Sequence, residues 1–397
     1  MFFVLLRFKH IESGMKPTTD MGPPRMDKVL LTPGPLTTSL TVKQAMLHDW
    51  GSRDAQFIAI NRHVRERLVA LAGGQSSHVC VPLQGSGTFA VEAAIGTLLP
   101  PTGKALLLVN GAYGQRMKRI CDYYKRAYKA LEWAEDAPVD AAQVDQALAA
   151  DATLSHVFVV HCETTSGVLN PVERIAEVVA RHERHLVVDA MSAFGAIALD
   201  VSRVPVDAVM ASSNKCLEGV PGIGFVIVRE SLLARCAGNA PSLSLDLFDQ
   251  WQVMEKTAQW RFTPPIHCIV AFDRAITEHA EEGGVAGRGA RYSANCKILV
   301  DGMRAMGFHT LLPDRLQAPI IVTFHMPSDP RFVFQRFYDA LSDRGYVIYP
   351  GKLTVADSFR IGCIGRIGAP EMTGALAAIR EVLAQMGVTN CGRSTAA

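Results

Sequence analysis

The stretch "VMASSNKCLEGVPGIGFV", residues 209–226, sets one lysine, Lys215, between an apolar run and a turn rich in glycine and proline. The runs on either side, "DAVMAS" and "GFVIVR", are short and rich in β-branched residues, the pattern of buried strands. Lys215 therefore stands where a buried strand ends. A lysine at such a place either begins an exposed loop or is held there for its chemistry, and the rest of the chain decides between the two.

Upstream, "HVCVPL", "ALLLVN", "HVFVVH" and "HLVVDA" repeat the strand pattern from about residue 78 onward. Segments near 88–98, 113–127, 140–149 and 171–182 carry helical spacing between them. Strands alternating with helices predict an α/β domain, a mostly parallel sheet with helices on both faces. In such a sheet, ligands bind at the carboxyl ends of the strands. After about residue 285 the pattern changes. "GGVAGRG" reads as a break, followed by a long helix over 290–306, the strands "APIIVTFHM", "GYVIYPG" and "SFRIG", a helix at 330–343, and a closing helix at 369–386. We read residues 26–285 as a large α/β domain and 286–388 as a smaller C-terminal α+β domain. Residues 1–25 read as a disordered N-terminal extension, with Met15, Met21 and Met26 as other candidate starts, and 389–397 as a flexible tail.

Composition narrows the classes. With 49% hydrophobic and 20% charged residues the chain has the make-up of a soluble globular protein. A formal charge of +2 and the lack of a basic run with interleaved aromatics argue against a nucleic-acid partner. The opening "MFFVLLRFKH" has too short an apolar run, with its positive charge on the wrong side, for a secretory signal, and no run approaches a membrane span. Nine scattered cysteines form neither CxxC pairs nor Cys/His clusters with metal-ligand spacing, so free thiols in a reducing cytoplasm, and no metal, are expected. Cys216, beside the lysine, reads as a small buried apolar residue rather than a nucleophile.

Two further motifs fall at strand ends. In "VPLQGSGTFAVEAAIG" (81–96) a strand runs through Gly-Ser-Gly-Thr into a helix. The glycines allow close backbone approach, the helix N-terminus offers free N–H groups and positive dipole, and Ser86 and Thr88 add hydroxyls, a set suited to a phosphate monoester. Taken alone it is equally a tight turn with an N-cap. It matches neither the Walker loop nor the dinucleotide fingerprint. In "HLVVDAMSAFGA" (185–196), Asp189 ends an apolar strand, where a carboxylate needs a cationic or N–H partner. Capping of the next turn would serve; so would a protonated pyridine nitrogen. A phosphate cup, a carboxylate and a lysine on one sheet edge meet the needs of pyridoxal 5'-phosphate, whose aldehyde forms a Schiff base with a lysine that then shuttles a proton.

At this point the sequence resembles the fold type I pyridoxal-phosphate enzymes, and among them the class V aminotransferases, which include the alanine–glyoxylate and serine–pyruvate transaminases. The matching stretches, in family order, are "LLTPGPLTTS" (30–39), "GSGTFAVEAAI" (85–95), "NGAYGQRM" (110–117), "HCETTSGVLNP" (161–171), "VDAMSAFGA" (188–196), "SSNKCLEGVPG" (212–222), "RFTPP" (261–265) and "SFRIGCIG" (358–365). The resemblance implies a large domain with a mostly parallel seven-stranded sheet. It gives Lys215 the catalytic role and Asp189 the ring nitrogen. Ser86, Gly87 and Thr88 would hold the phosphate, with Asn214 near it, Tyr113 over the ring, and Thr164 at the ring hydroxyl. Arg360 would bind the substrate's acid group. Thr263 would reach the cofactor of a neighbouring subunit, which implies a homodimer with shared sites. Arg366 is expected to face solvent. His161 reads as a structural residue at a strand end, and Glu163 either orients the loop around Thr164 or lines the pocket.

The wording of "HCETTSGVLNP" and "SSNKCLEGVPG" is most similar to members that transfer the amine of 2-aminoethylphosphonate to pyruvate; a transaminase for alanine or serine with glyoxylate or pyruvate is the alternative. A lyase or desulfurase of the same fold would need a reactive cysteine on a mobile loop, and no cysteine is placed on one. A non-catalytic ligand-sensing module would not need lysine, aspartate and cup together.

Overall fold

The computed structural model describes residues 27–353 and 356–393. The expected extension over 1–25 and the end of the expected tail, 394–397, lie outside these residues. In chain order the strands of the first part are β1 (Val29–Leu30), β2 (His78–Gln84), β3 (Lys104–Val109), β4 (Ala127–Glu132) and β5 (Leu154–Val160). A small hairpin of β6 (Cys162–Glu163) and β7 (Val168–Leu169) follows, then β8 (His185–Asp189), β9 (Ala208–Ser212) and β10 (Ile223–Arg229). The helices that accompany them are α1 (Leu40–Gln44), α2 (Ala55–Leu71), α3 (Gly87–Leu98), α4 (Ala112–Tyr124), α5 (Ala141–Ala150), α6 (Val172–Arg181), α7 (Glu230–Leu233), α8 (Leu247–Thr257) and α9 (Ile266–Glu281). Then come α10 (Gly284–Ala305), β11 (Ile321–His325), α11 (Phe334–Asp343), β12 (Tyr346–Val347), β13 (Tyr349–Pro350), β14 (Ser358–Gly362) and α12 (Ala369–Met386).

Seven strands form the main sheet in the order β2-β10-β9-β8-β5-β3-β4. β10 is antiparallel to both its neighbours and every other pairing is parallel, so the sheet is mostly parallel, as expected. The runs Val157–Val160, Leu186–Val188 and Ala208–Ala211 of its central strands are apolar without interruption because both faces are covered. Side chains alternate between two cores at the strand period of 2. Leu106, Val157, Val159 and Val188 belong to one cluster, Leu107, Phe158, Val160 and Val187 to the other. Phe158 is fully buried, and its truncation to alanine would cost about 3–5 kcal/mol.

The C-terminal part has its own three-stranded antiparallel sheet, β11-β14-β13, and its own core against α10, α11 and α12. The N-terminal segment joins it: β1 pairs with β12 in parallel, and Leu31 lies fully buried in that core. Two local expectations are corrected. The break at "GGVAGRG" is shorter than expected: α9 ends at Glu281, Gly283 precedes α10, and the helix begins at Gly284 rather than 290; Gly289 lets it approach the large unit, since a Cβ there would lie 2.5 Å from the Ala196 carbonyl oxygen. Residues 389–392, expected within a flexible tail, are fastened. Asp329 accepts from the amides of Thr389 and Asn390, and Ser328 N–H donates to the Gly392 carbonyl. Among the described residues, no helix is long and apolar enough to cross a membrane.

Candidate active site

Val160 ends β5, Asp189 ends β8 and Ser212 ends β9, and these three residues face one cavity of about 210 Å³. Ser86, Gly87 and Thr88 line it from the start of α3, Tyr113 and Arg116 from the first turns of α4, and Asn214 and Lys215 from the turn after β9. Eight or more residues of helix follow the Gly-Ser-Gly-Thr turn, so the N–H groups of a full first turn are available. Ser86 occupies the N-cap position, yet its hydroxyl makes no capping hydrogen bond. The capping reading of that serine is thereby set aside, and the hydroxyl is left for something else. Gly87 is small for a reason: a Cβ there would press within 2.5 Å of Met191 Sδ.

Lys215 reaches back under the N-terminal segment, where its ammonium donates to the Pro33 carbonyl. Burial lowers its pKa to about 8, against the pull of nearby Cys216 and Asp189. Asp189 is 4% exposed, and among the described residues its carboxylate accepts one hydrogen bond, from Met191 N–H at 3.0 Å. Burial lifts its pKa to about 6, and the Met191 amide, Arg116 and Lys215 oppose the rise. The Met191 amide supplies the N–H partner of a turn cap, and among the described residues the carboxylate has no cationic hydrogen-bond partner.

Arg116 was not among the residues the sequence analysis selected. Its Nη1 donates to Thr88 Oγ1 at 2.9 Å and its guanidinium lies 4.9 Å from the Tyr113 ring centroid. The signal was present in "NGAYGQRM": positions 113 and 116 are three apart, hence neighbours on one helix face.

Glu163 orients the loop, the first of its two expected roles. It is fully buried, and its carboxylate accepts from Tyr113 N–H at 3.1 Å and from the Thr165 hydroxyl at 2.8 Å. It thus caps the start of α4, packed where a side chain at Gly111 would stand. Burial raises its pKa to about 7. His161 behaves as a structural residue: burial pushes its pKa to about 4, so the ring is neutral at neutral pH. Thr164 is fully buried, and its side chain lies within hydrogen-bonding reach of the Tyr113 phenol.

Arg360 enters from β14 and is 1% exposed. Its Nη1 donates to the Thr164 carbonyl at 2.7 Å and its Nε to the Pro350 carbonyl at 3.1 Å, while Tyr349 lies under the guanidinium. The remaining terminal nitrogen, Nη2, is buried without a partner. Arg360 does not line the cavity itself, and a guanidinium with one terminal nitrogen unspent suits an incoming carboxylate or phosphonate. Arg366 is exposed, as expected. Thr263 is not brought to the cavity: it is exposed and lines a separate hollow of about 480 Å³ with Phe89, Trp260 and Phe262.

The model of the class-V aminotransferases matches residues 40–337. The chain belongs to the class-V aminotransferase family. It is 55% identical over 369 residues to a 2-aminoethylphosphonate–pyruvate transaminase of Burkholderia lata, covering 93% of this chain and 98% of that one. To the 2-aminoethylphosphonate–pyruvate transaminase of Pseudomonas putida it is 54% identical over 360 residues, 91% of this chain and 98% of the relative. Among solved structures, the ureidoglycine–glyoxylate aminotransferase of Bacillus subtilis superposes with a TM-score of 0.84 at 22% identity, over 93% of this chain and 95% of that one, which establishes the shared fold.

Class-V aminotransferases work with pyridoxal 5'-phosphate, and the cavity of this one fits it. The Ser86 hydroxyl outside any cap, the Asp189 carboxylate with its one N–H partner and the buried Lys215 amine are the groups such a molecule would satisfy; Thr164 does not line the cavity itself.

Proposed function

We propose that this aminotransferase moves the amino group of 2-aminoethylphosphonate to pyruvate, giving phosphonoacetaldehyde and L-alanine. The observation that carries the reading is the convergence of Lys215, Asp189 and the Ser86–Thr88 turn on one cavity. Relatives more than half identical along almost the whole chain, and named for that reaction, supply the substrate.

When bound, the cofactor supplies an electron sink for the bond broken at the amino-bearing carbon. Ser86, Gly87, Thr88 and the N-terminus of α3 would hold its phosphate, with Asn214 beside them. Asp189 would keep the ring nitrogen protonated, which explains a carboxylate rather than an amide at the end of a buried strand. Tyr113 would cover the ring and Thr164 would bond its hydroxyl. Lys215, with a pKa drawn close to neutrality, can both accept and return a proton at its amine. Arg360 would orient the acid group of either substrate through its free Nη2.

Within this reading residues 26–285 carry the cofactor site and 286–388 carry the acid-binding arginine. Thr263, exposed in its own hollow beside the half-exposed Phe89 and Phe262, would serve the cofactor of a second copy across a homodimer interface. A reducing cytoplasm suits nine cysteines, all of them free.

The test is a single-turnover titration of the cofactor-loaded protein with 2-aminoethylphosphonate, alanine and serine separately, no acceptor present. Loss of the yellow absorbance at far lower 2-aminoethylphosphonate than serine supports the assignment. Preference for serine would overturn it.

A further inference from the structure

We propose that Glu218, Arg291 and Tyr292 form a clasp that fixes the separation between Lys215 and Arg360. Lys215 opens a tight turn, in which Glu218 N–H donates to the Lys215 carbonyl and Gly219 N–H to that of Ser213, each at 2.8 Å. Glu218 has φ of 56°, a left-handed conformation that glycine adopts at less cost. A glutamate there is used for its side chain. That carboxylate is buried and accepts from the Tyr292 hydroxyl at 2.6 Å and from Arg291 Nη2 at 2.7 Å.

The same two residues of α10 also hold the segment that follows β14, the strand bearing Arg360. Arg291 Nη1 donates to the carbonyls of Gly365 and, at 2.9 Å, Ile367. Gly365 N–H donates to the Tyr292 hydroxyl at 3.2 Å. Each residue thus grips the lysine turn and the arginine segment together. Arg288, fully buried, adds a tie from Nη1 to the Cys216 carbonyl at 2.5 Å, and Glu282 accepts from both arginines.

Two arginines face two glutamates, so the group is electrically balanced. Buried ion pairs of this kind contribute little net stability relative to an apolar replacement. Their bonds are directional, and directional bonds set geometry. The geometry at stake is the span between the amine that handles the substrate's nitrogen and the guanidinium that reads its acid. A misplacement of about 1 Å across such a span costs on the order of 10²-fold in rate.

The proposal rests on the site reading above and is tested on the cofactor-loaded full chain. Arg291→Ala and the milder Tyr292→Phe are compared with wild type using three kinds of probe. 2-Aminoethylphosphonate and alanine carry both amine and acid, ethylamine carries the amine alone, and ethylphosphonate carries the acid alone. The expected result for Arg291→Ala is a rise of roughly tenfold or more in KM for both two-headed substrates. Ethylamine conversion, ethylphosphonate affinity and cofactor affinity should each stay within about twofold, since each half-site remains intact. Tyr292→Phe, which gives up both hydrogen bonds of the hydroxyl and keeps the Arg291 ties, should show the same pattern at about threefold or more. Equal losses for every probe, or no loss for the two-headed substrates, would overturn the clasp. If wild type converts alanine but not 2-aminoethylphosphonate, the proposed substrate fails and the alanine arm still decides the clasp.

Discussion

Lys215 passes so close to Gly34 that a Cβ on the glycine would lie 2.9 Å from both Cδ and Nζ of the lysine. The amine is therefore confined from two sides, by the turn that carries it and by the "TPGP" segment that crosses it.

Gly34→Ala should accordingly do two kinds of damage. The residue has φ of +121°, so any side chain costs roughly 1–3 kcal/mol of stability. The new methyl would also displace the lysine and slow cofactor uptake, followed as growth of visible absorbance in the cofactor-free protein. Uptake at the wild-type rate would show that the lysine has room to spare.

The buried amine has a pH signature. Its pKa is lowered from 10.5 to about 8. Across that window the unfolded chain holds a proton that the folded chain has released, so stability rises with pH. In the cofactor-free protein, acylation of Lys215 followed by peptide mapping should have its midpoint near 8. A midpoint at the ordinary lysine value would refute the burial argument.

Asp189 makes the opposite trade. Burial raises its pKa from 3.8 to about 6. Between those values the folded chain keeps a proton that the unfolded one has lost, so stability falls as pH rises. Above the window the charge costs on the order of 3 kcal/mol. Asp189→Asn should therefore make the cofactor-free protein more stable at neutral pH, with the gain fading in acid. The same change should lower kcat by roughly 10²- to 10³-fold, the scale of one preorganised electrostatic contact. Denaturant titration at two pH values and steady-state kinetics check the pair, and a destabilised asparagine variant would contradict it.

For Arg360→Lys, the charge stays and the fork is lost. The buried Nη1 bond to Thr164 and the free Nη2 cannot both be replaced by one ammonium. KM for 2-aminoethylphosphonate and for pyruvate should rise by roughly 10- to 100-fold, the loss of a charge-assisted contact. The absorbance of the loaded protein should not change. Unaltered KM values would remove Arg360 from acid binding.

The parallel core was legible because β5, β8 and β9 are apolar on both faces, and an unbroken apolar run is easily seen. β4 was not assigned, because Ala127–Glu132 is an edge strand, half-exposed and interrupted by lysine and glutamate. β1 was invisible for another reason: its partner lies more than 300 residues away at Tyr346, and no local pattern encodes such a pairing. The seven cavity residues named from motifs meet at one cavity because each ends or follows a strand pointing the same way. Arg116 escaped because it sits within a helix, where a charged residue ordinarily reads as solvated surface. The Glu218 clasp escaped too, since its members come from two distant segments and become partners only when α10 packs down.

The sheet's single reversed strand has a mechanical consequence. Because β10 returns directly beside β9, Ser212 pairs with Gly224 and Ser213 N–H bonds the Ile223 carbonyl. The lysine thus rides on a short span anchored at both abutments to adjacent strands, rather than on the open approach to a crossover helix. A span so short has little slack to take up added length. One residue inserted between Asn214 and Gly222 would swing the amine off its mark, while one added in the exposed turn at Thr102 would leave it undisturbed.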